Sequence, residues 1–371
     1  MTPFGELGLI EALLRAVAAL GHTQPTPIQV ATIPLMLDGR DVCATAQTGT
    51  GKTGAFALPI LQRLSQVARG GQPRALVLVP TRELAAQVGS AFDVYGQFLP
   101  TLRCAVVYGG LKQRAQRRAV EGNPEIIVAT PGRLIDLCGQ GKVDLGGVKH
   151  LVIDEADRML DLGFIDDVNR VLKRIPTGRQ TSLFSATLPP AIAQLASRSL
   201  RNAVRVSVAA DGAPAPRVEQ GVVFVEHPEK SATLLGLLDG PAVTRALVFV
   251  RTKHAADRLA RVLLAARVQC EAIHGDRPQS DRERALARFK GGVLRVLVAT
   301  DVAARGIDID HVSHVVNFDV PNVAETYVHR IGRTARAGAG GIAITLCAPS
   351  ERGFVADIER LIGQPLAELS R

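Results

Sequence analysis

Two short segments constrain this chain more than anything else in it: Ala46-Gln47-Thr48-Gly49-Thr50-Gly51-Lys52-Thr53 and, later, Asp154-Glu155-Ala156-Asp157. The first has the makings of a phosphate-binding loop. Gly49 and Gly51 let the backbone curl until its N–H groups converge on a phosphate chain, and a helix starting near Lys52 adds the positive end of its dipole. A strand is expected over 41–45. An amphipathic helix is expected through Phe56, Leu58, Ile60, Leu61 and Leu64, which completes the strand–loop–helix context the motif needs. Thr48, Gly49, Thr50 and Gly51 then line the phosphates, Lys52 reaches the β- and γ-phosphates, and Thr53 offers its hydroxyl to Mg²⁺. Ala46 stands where the commonest version of the loop has its first glycine. The second segment follows Leu151-Val152-Ile153, which reads as a fully buried parallel strand, so Asp154 and Glu155 emerge at the carboxyl end, where open α/β sheets bind ligands. Asp154 can hold Mg²⁺, and Glu155 can orient or deprotonate an attacking water. The pair implies a machine that hydrolyses a nucleoside triphosphate.

The same rhythm of short apolar runs and helical patterns occupies both halves. Strands are expected at 75–79, 105–108, 126–129, 151–153 and 182–184, then at 222–225, 246–250, 294–299, 312–318 and 342–346. This predicts α/β architecture with repeated βαβ units and mainly parallel sheets flanked by helices. Between the halves, Ala209-Ala210-Asp211-Gly212-Ala213-Pro214-Ala215-Pro216 is linker-like in composition. The expected division is a first domain over 1–208, a linker over 209–219 and a second domain over 220–371. A length of 371 residues suits two cores rather than one. Only the first half has a phosphate loop, so the second is expected to supply something in trans across a cleft.

Composition narrows the partners. No apolar run approaches the length that crosses a bilayer, and the N-terminus shows no secretory pattern. The five cysteines are scattered without metal-ligand spacing, which fits reduced thiols in the cytoplasm. A formal net charge of +9 favours a polyanionic partner. An aromatic content of 4% with no tryptophan argues against recognition built mainly on base stacking.

The ordered set of motifs along nearly the whole chain resembles the core of the DEAD-box ATP-dependent RNA helicases, in sequence flavour the bacterial branch and its RhlE-like group. Gly21-His22-Thr23-Gln24-Pro25-Thr26-Pro27-Ile28-Gln29 is similar to that family's adenine-sensing Q motif, with Phe4 upstream where the family has an aromatic that packs on the base. His22 and Ala335 depart from the pattern, replacing an aromatic and a glycine. The resemblance implies two tandem RecA-like domains joined by a short linker, ATP and Mg²⁺ as ligands, and RNA as partner to a monomer. It implies RNA contacts at Pro80, Thr81, Arg82, Gly109, Gly110, Thr130, Pro131 and Arg133 in the first half. In the second half they fall at Arg251, Thr252, Gly275, Gln279, Arg282, Thr300 and Asp301. Asp157, Ser185, Thr187 and His329 are implied as coupling residues, and Asp308 as a nucleotide contact. Arg333 and Arg336, three apart on one expected helical face, are implied as arginine fingers.

Gln29 carries both a donor and an acceptor, which suits reading the edge of adenine, although a glutamine after Pro-Thr-Pro-Ile also suits a helix start. Hydroxyls, exposed backbone N–H groups and guanidinium groups bind phosphate and sugar oxygens without reading bases, so binding is expected to be sequence-tolerant. Lys112, Arg114, Arg117 and Arg118 form a basic helix that either flanks the RNA path or is simply solvated. The expected activity is RNA-stimulated ATP hydrolysis coupled to domain closure, RNA bending and local unwinding. A clamp with little unwinding and a related motor on DNA are the alternatives.

Overall fold

The apolar runs become parallel strands because they have no polar face to offer water: alternate residues must bury on both sides of a sheet. The computed structural model describes residues 3–46, 49–68, 70–110, 120–208, 218–304, 312–335 and 340–369. It divides into two compact units, Met1–Asp211 and Gly212–Arg371.

The first unit contains β1 (Val42–Thr45), β2 (Ala75–Leu78), β3 (Cys104–Val107), β4 (Ile126–Ala129), β5 (His150–Ile153), β6 (Gln180–Ser185) and β7 (Val204–Ser207). Its helices are α1 (Glu11–Ala19), α2 (Pro27–Leu37), α3 (Lys52–Ser65), α4 (Arg82–Tyr95), α5 (Pro131–Gly139), α6 (Ala156–Asp161), α7 (Ile165–Leu172) and α8 (Pro190–Ser199). The second unit contains β8 (Val218–Phe224), β9 (Ala246–Val250), β10 (Cys270–Ile273), β11 (Val296–Thr300), β12 (His314–Asn317), β13 (Gly341–Cys347) and β14 (Ala367–Glu368). Its helices are α9 (Lys230–Leu238), α10 (Lys253–Ala265), α11 (Gln279–Lys290), α12 (Asp301–Ala304), α13 (Ala324–Ile331) and α14 (Arg352–Ile362).

The first sheet runs β3-β4-β2-β5-β6-β1-β7 and the second β10-β11-β9-β12-β13-β8-β14. Adding seven to each strand number of the first order gives the second, so one topology is used twice. The paired strands in both sheets are parallel. Each sheet is covered on both faces: Ala75 and Val77 of β2 bury on one side with Phe56 and Phe184, while Leu76 and Leu78 bury on the other with Leu134 and Met159. The expected fold class is thus borne out, with strands β7, β10 and β14 added to those read from sequence.

The linker reading over 209–219 needs correction at its end. Val218 and Glu219 belong to β8, in register with Gly341 and Ile342 of β13. A lone Val beside a Glu carries no strand signal in sequence, but the neighbouring strand takes up their backbone. Residues 209–217 lie outside the described part, as do Lys112, Arg114, Arg117 and Arg118.

Candidate nucleotide and nucleic-acid sites

Sheet order sorts the candidate residues into two groups. In the first unit β5, β6 and β1 are neighbours, and their carboxyl ends carry Asp154–Asp157, Ser185–Thr187 and the phosphate loop. The other side of the sheet, β2, β4 and β3, leads into Pro80–Arg82, Thr130–Arg133 and Gly109–Gly110. The second unit repeats the latter arrangement: β9, β11 and β10 are adjacent and lead into Arg251–Thr252, Thr300–Asp301 and Gly275–Arg282.

The loop is built around glycine. Gly49 and Gly51 have φ of 84° and 89°, backbone that disfavours any residue with a Cβ. A Cβ on Gly51 would also stand 2.8 Å from both Gln29 Nε2 and Thr26 Oγ1. Gln29 makes that approach because its Nε2 donates to Gly51 O at 3.1 Å, while its Oε1 accepts from Thr26 N–H at 3.0 Å. The helix-start role and a place at the loop therefore coexist, and one N–H and one lone pair of the amide are left for another partner. Lys52 curls back to donate from Nζ to Ala46 O at 2.9 Å. Phe4 is buried among the core side chains of the first unit. Thr48 lies outside the described residues.

The acidic motif is held as tightly. Glu155 has φ 51° and ψ 52°, a left-handed conformation that is strained for glutamate, and it precedes α6. Its carboxylate receives Arg158 Nη1, a residue that sequence reasoning passed over. Arg158 Nε and Nη2 are buried without hydrogen-bond partners among the described residues. Asp154 is 2% exposed. Burial, reinforced by the Glu155 and Asp157 carboxylates and opposed by Lys52, pushes its pKa up to about 7. Such a carboxylate is short of positive charge. Its oxygens, like the Thr53 hydroxyl at the start of α3, are of the hard donor type that a divalent cation such as Mg²⁺ takes, with one or two carboxylates, substrate phosphates and waters. Among the described residues no group of three or more His, Cys, Asp or Glu side chains could hold a metal.

Asp157 meets the end of β6. Its Oδ2 accepts from Ala186 N–H at 3.1 Å, Thr187 N–H at 2.9 Å and the Thr187 hydroxyl at 3.1 Å, and its own N–H donates to Ser185 Oγ at 3.1 Å. Three of the four expected coupling residues are therefore in one hydrogen-bonded cluster; His329 belongs to the other unit.

On the other half of the first sheet, the Arg82 guanidinium lies against the glycine pair: a Cβ on Gly110, whose φ is 93°, would fall 2.3 Å from Arg82 Nη1. Thr81 caps α4 by accepting from Leu84 N–H at 3.3 Å, and Thr252 caps α10 by accepting from Ala255 N–H at 3.2 Å. Each hydroxyl keeps its own hydrogen to donate. Arg133 faces Asp136 at 3.9 Å. In the second unit Arg282 Nη1 donates to Gln279 Oε1 at 3.3 Å. Asp301 is not a free acid: Arg330 grips both its oxygens, Nε to Oδ1 at 2.6 Å and Nη2 to Oδ2 at 2.8 Å.

The expectation of Arg333 and Arg336 on one helical face is corrected. α13 ends at Ile331, with Gly332 as its C-cap, and Arg333 sits in the turn that follows. Gly332 has the low helix propensity that ends the pattern. Ala335 then takes φ 55°, glycine's conformation. Arg336 and Asp308 lie outside the described residues.

Comparison with known proteins follows the same division. The DEAD/DEAH box helicase family matches residues 26–195 and the helicase conserved C-terminal domain matches residues 229–338. The chain is 45% identical over 360 residues to the DEAD-box ATP-dependent RNA helicase CshA of Geobacillus kaustophilus, covering 97% of this chain and 76% of that protein. It belongs to the DEAD-box helicase family. Among solved structures, S. cerevisiae Dbp5 bound to RNA and ADP BeF3 matches with a TM-score of 0.89 and 32% identity, covering 100% of this chain and 96% of that one. Mss116p bound to ssRNA and AMP-PNP matches with a TM-score of 0.89 and 29% identity, over 100% and 80% of the two chains. The two sheets are therefore the tandem RecA-like domains of this family. No helix among the described residues is long and apolar enough to cross a membrane.

Proposed function

We propose that this DEAD-box ATP-dependent RNA helicase hydrolyses ATP when its two units close on single-stranded RNA, and that closure bends one strand and so opens a short duplex. The observation that carries the reading is the sorting of nucleotide-type and phosphate-contact residues onto opposite halves of the first sheet, with the second group repeated in the second unit. One domain can then hold ATP and RNA side by side without competition.

In this reading Gln29 uses its remaining N–H and lone pair on the adenine edge, which selects ATP over GTP. The loop N–H groups and the α3 N-terminus take the phosphates, and Lys52 exchanges Ala46 O for a phosphate oxygen. Thr53 and Asp154 hold Mg²⁺, which supplies charge neutralisation at the phosphate oxygens when bound. Glu155 accepts a proton from the attacking water. Arg333 and Arg336, with Asp308, face the nucleotide on closure; such arginines supply on the order of 10³- to 10⁵-fold in rate. His329 meets the Asp157–Thr187 cluster and reports closure to the hydrolytic site. Thr81, Arg82, Gly109, Gly110, Thr130 and Arg133 line the RNA backbone with Arg251, Thr252, Gly275, Gln279, Arg282 and Thr300. The protein acts as a monomer in the cytoplasm.

Glu155→Gln tests the assignment. ATP and RNA should still bind while turnover collapses, and normal turnover in that variant would remove Glu155 from the chemistry.

A further inference from the structure

The loop after β12 presents three consecutive carbonyl oxygens, at Phe318, Asp319 and Val320, and each accepts from a different cation. Lys230 Nζ donates to Phe318 O at 2.8 Å, Arg330 Nη1 to Asp319 O at 2.8 Å and Arg251 Nη2 to Val320 O at 3.1 Å. Beneath the loop lies Glu351, 3% exposed. Its Oε1 accepts from Arg251 Nη2 at 3.1 Å and Val320 N–H at 3.3 Å. Its Oε2 accepts from Lys230 Nζ at 2.5 Å and Ala348 N–H at 3.1 Å. Arg251 N–H is tied in as well, donating to Asp319 Oδ2 at 2.8 Å.

Charge bookkeeping shows what this arrangement can do. A lone carboxylate under Arg251 would fix the guanidinium but cancel its charge. Lys230, 0% exposed, neutralises Glu351 from the opposite side. Within the trio of Lys230, Glu351 and Arg251 the charges sum to one positive, on the member that meets solvent, Arg251, whose side chain is 43% exposed; the Asp319 carboxylate on the Arg251 N–H offsets that charge to the same extent with or without Lys230. The buried acid sets direction, and removing the buried lysine takes one positive charge from the group.

We propose that Glu351 and Lys230 are positioning residues for the RNA contact of Arg251, Glu351 by anchoring the guanidinium and Lys230 by preserving its charge. The proposal rests on the reading above, in which Arg251 meets RNA phosphates.

The experiment is equilibrium binding of the full chain to a fluorescent single-stranded oligouridine across a salt series, with thermal melts as folding controls. Arg251→Gln should weaken binding roughly ten-fold and lower the salt slope by about 0.7, the value of one phosphate contact on a single strand. Lys230→Met should lower the slope by a similar amount although Arg251 is still present, because Glu351 now cancels it. The charge-neutral double variant Lys230→Met with Glu351→Gln should recover the wild-type slope yet bind several-fold more weakly, since the anchor is gone. A wild-type slope in Lys230→Met, or no recovery in the double variant, overturns the proposal. If Lys230→Met does not fold, the double variant decides alone: wild-type affinity overturns the anchoring, and weaker binding at an unchanged slope supports it. If instead Arg251→Gln changes neither affinity nor slope, the RNA contact itself is wrong.

Discussion

Replacing Asp157 by asparagine removes one charge and turns one acceptor into a donor at the junction of α6 and β6. In the native arrangement Oδ2 serves Ala186 N–H, Thr187 N–H and the Thr187 hydroxyl, and Oδ1 accepts from Arg158 N–H at 3.0 Å. An asparagine can keep its oxygen toward only one of these sets. Turning it to residues 186 and 187 sets its NH₂ against Arg158 N–H, so one buried donor loses its acceptor at a cost of about 1–3 kcal/mol. The other bonds survive but lose charge assistance, adding about 1 kcal/mol. A total near 3 kcal/mol should lower the melting temperature of a unit this size by roughly 6–12 °C. Calorimetry of the full chain measures that loss in the transition of the Met1–Asp211 unit. The ratio of RNA-stimulated to basal ATPase should fall in parallel, because α6 and the 185–187 segment no longer move as one. A variant that melts within about 1 °C of wild type and keeps its RNA stimulation would show that the Asp157 carboxylate does not hold this junction together.

Two other outcomes follow from local geometry. Burial, with Arg63, Arg74 and Lys149 nearby, holds the His150 pKa down at about 4 against the hydrogen bond to Gln180. Its folded pKa lies below its unfolded value near 6.5, so the stability it contributes is full above that value and is lost as pH falls toward 4. Denaturant titration should show about 2 kcal/mol lost between pH 7.5 and pH 5, a loss absent from His150→Gln. Ala335→Gly should relieve the left-handed strain at φ 55°, worth roughly 1–2 kcal/mol, against a smaller entropic cost of glycine in the unfolded chain. A net rise of about 0.5–1 kcal/mol in the stability of the second unit is expected; a fall would show that the turn tolerates alanine without strain.

The strands that sequence reveals are those buried on both faces. Ala75–Leu78, Ile126–Ala129 and Ala246–Val250 are continuous apolar runs and stand out as such. β7 alternates Val with Arg and Ser at a sheet edge, β10 contains Glu271, and β14 is two residues long, so none carries a pattern that periodicity can find. Positions at strand ends were legible because a parallel sheet delivers its loops to one edge. What was not legible is pairing between side chains. Arg158 is three residues from Glu155 and could have been flagged from helical spacing. Arg330 with Asp301, and Lys230 with Glu351, are joined only by the order of strands in the second sheet. The helical face expected for Arg333 failed because Gly332 ends the helix first.

If RNA-driven closure switches on hydrolysis at Glu155, the difference must show in steady-state ATP hydrolysis with Mg²⁺ at fixed low salt, alone and with saturating single-stranded RNA or DNA of matched length, since phosphate contacts weaken steeply with salt. Strong stimulation by RNA and little by DNA is expected. Equal stimulation by both, or by neither, would contradict RNA-driven closure as the switch.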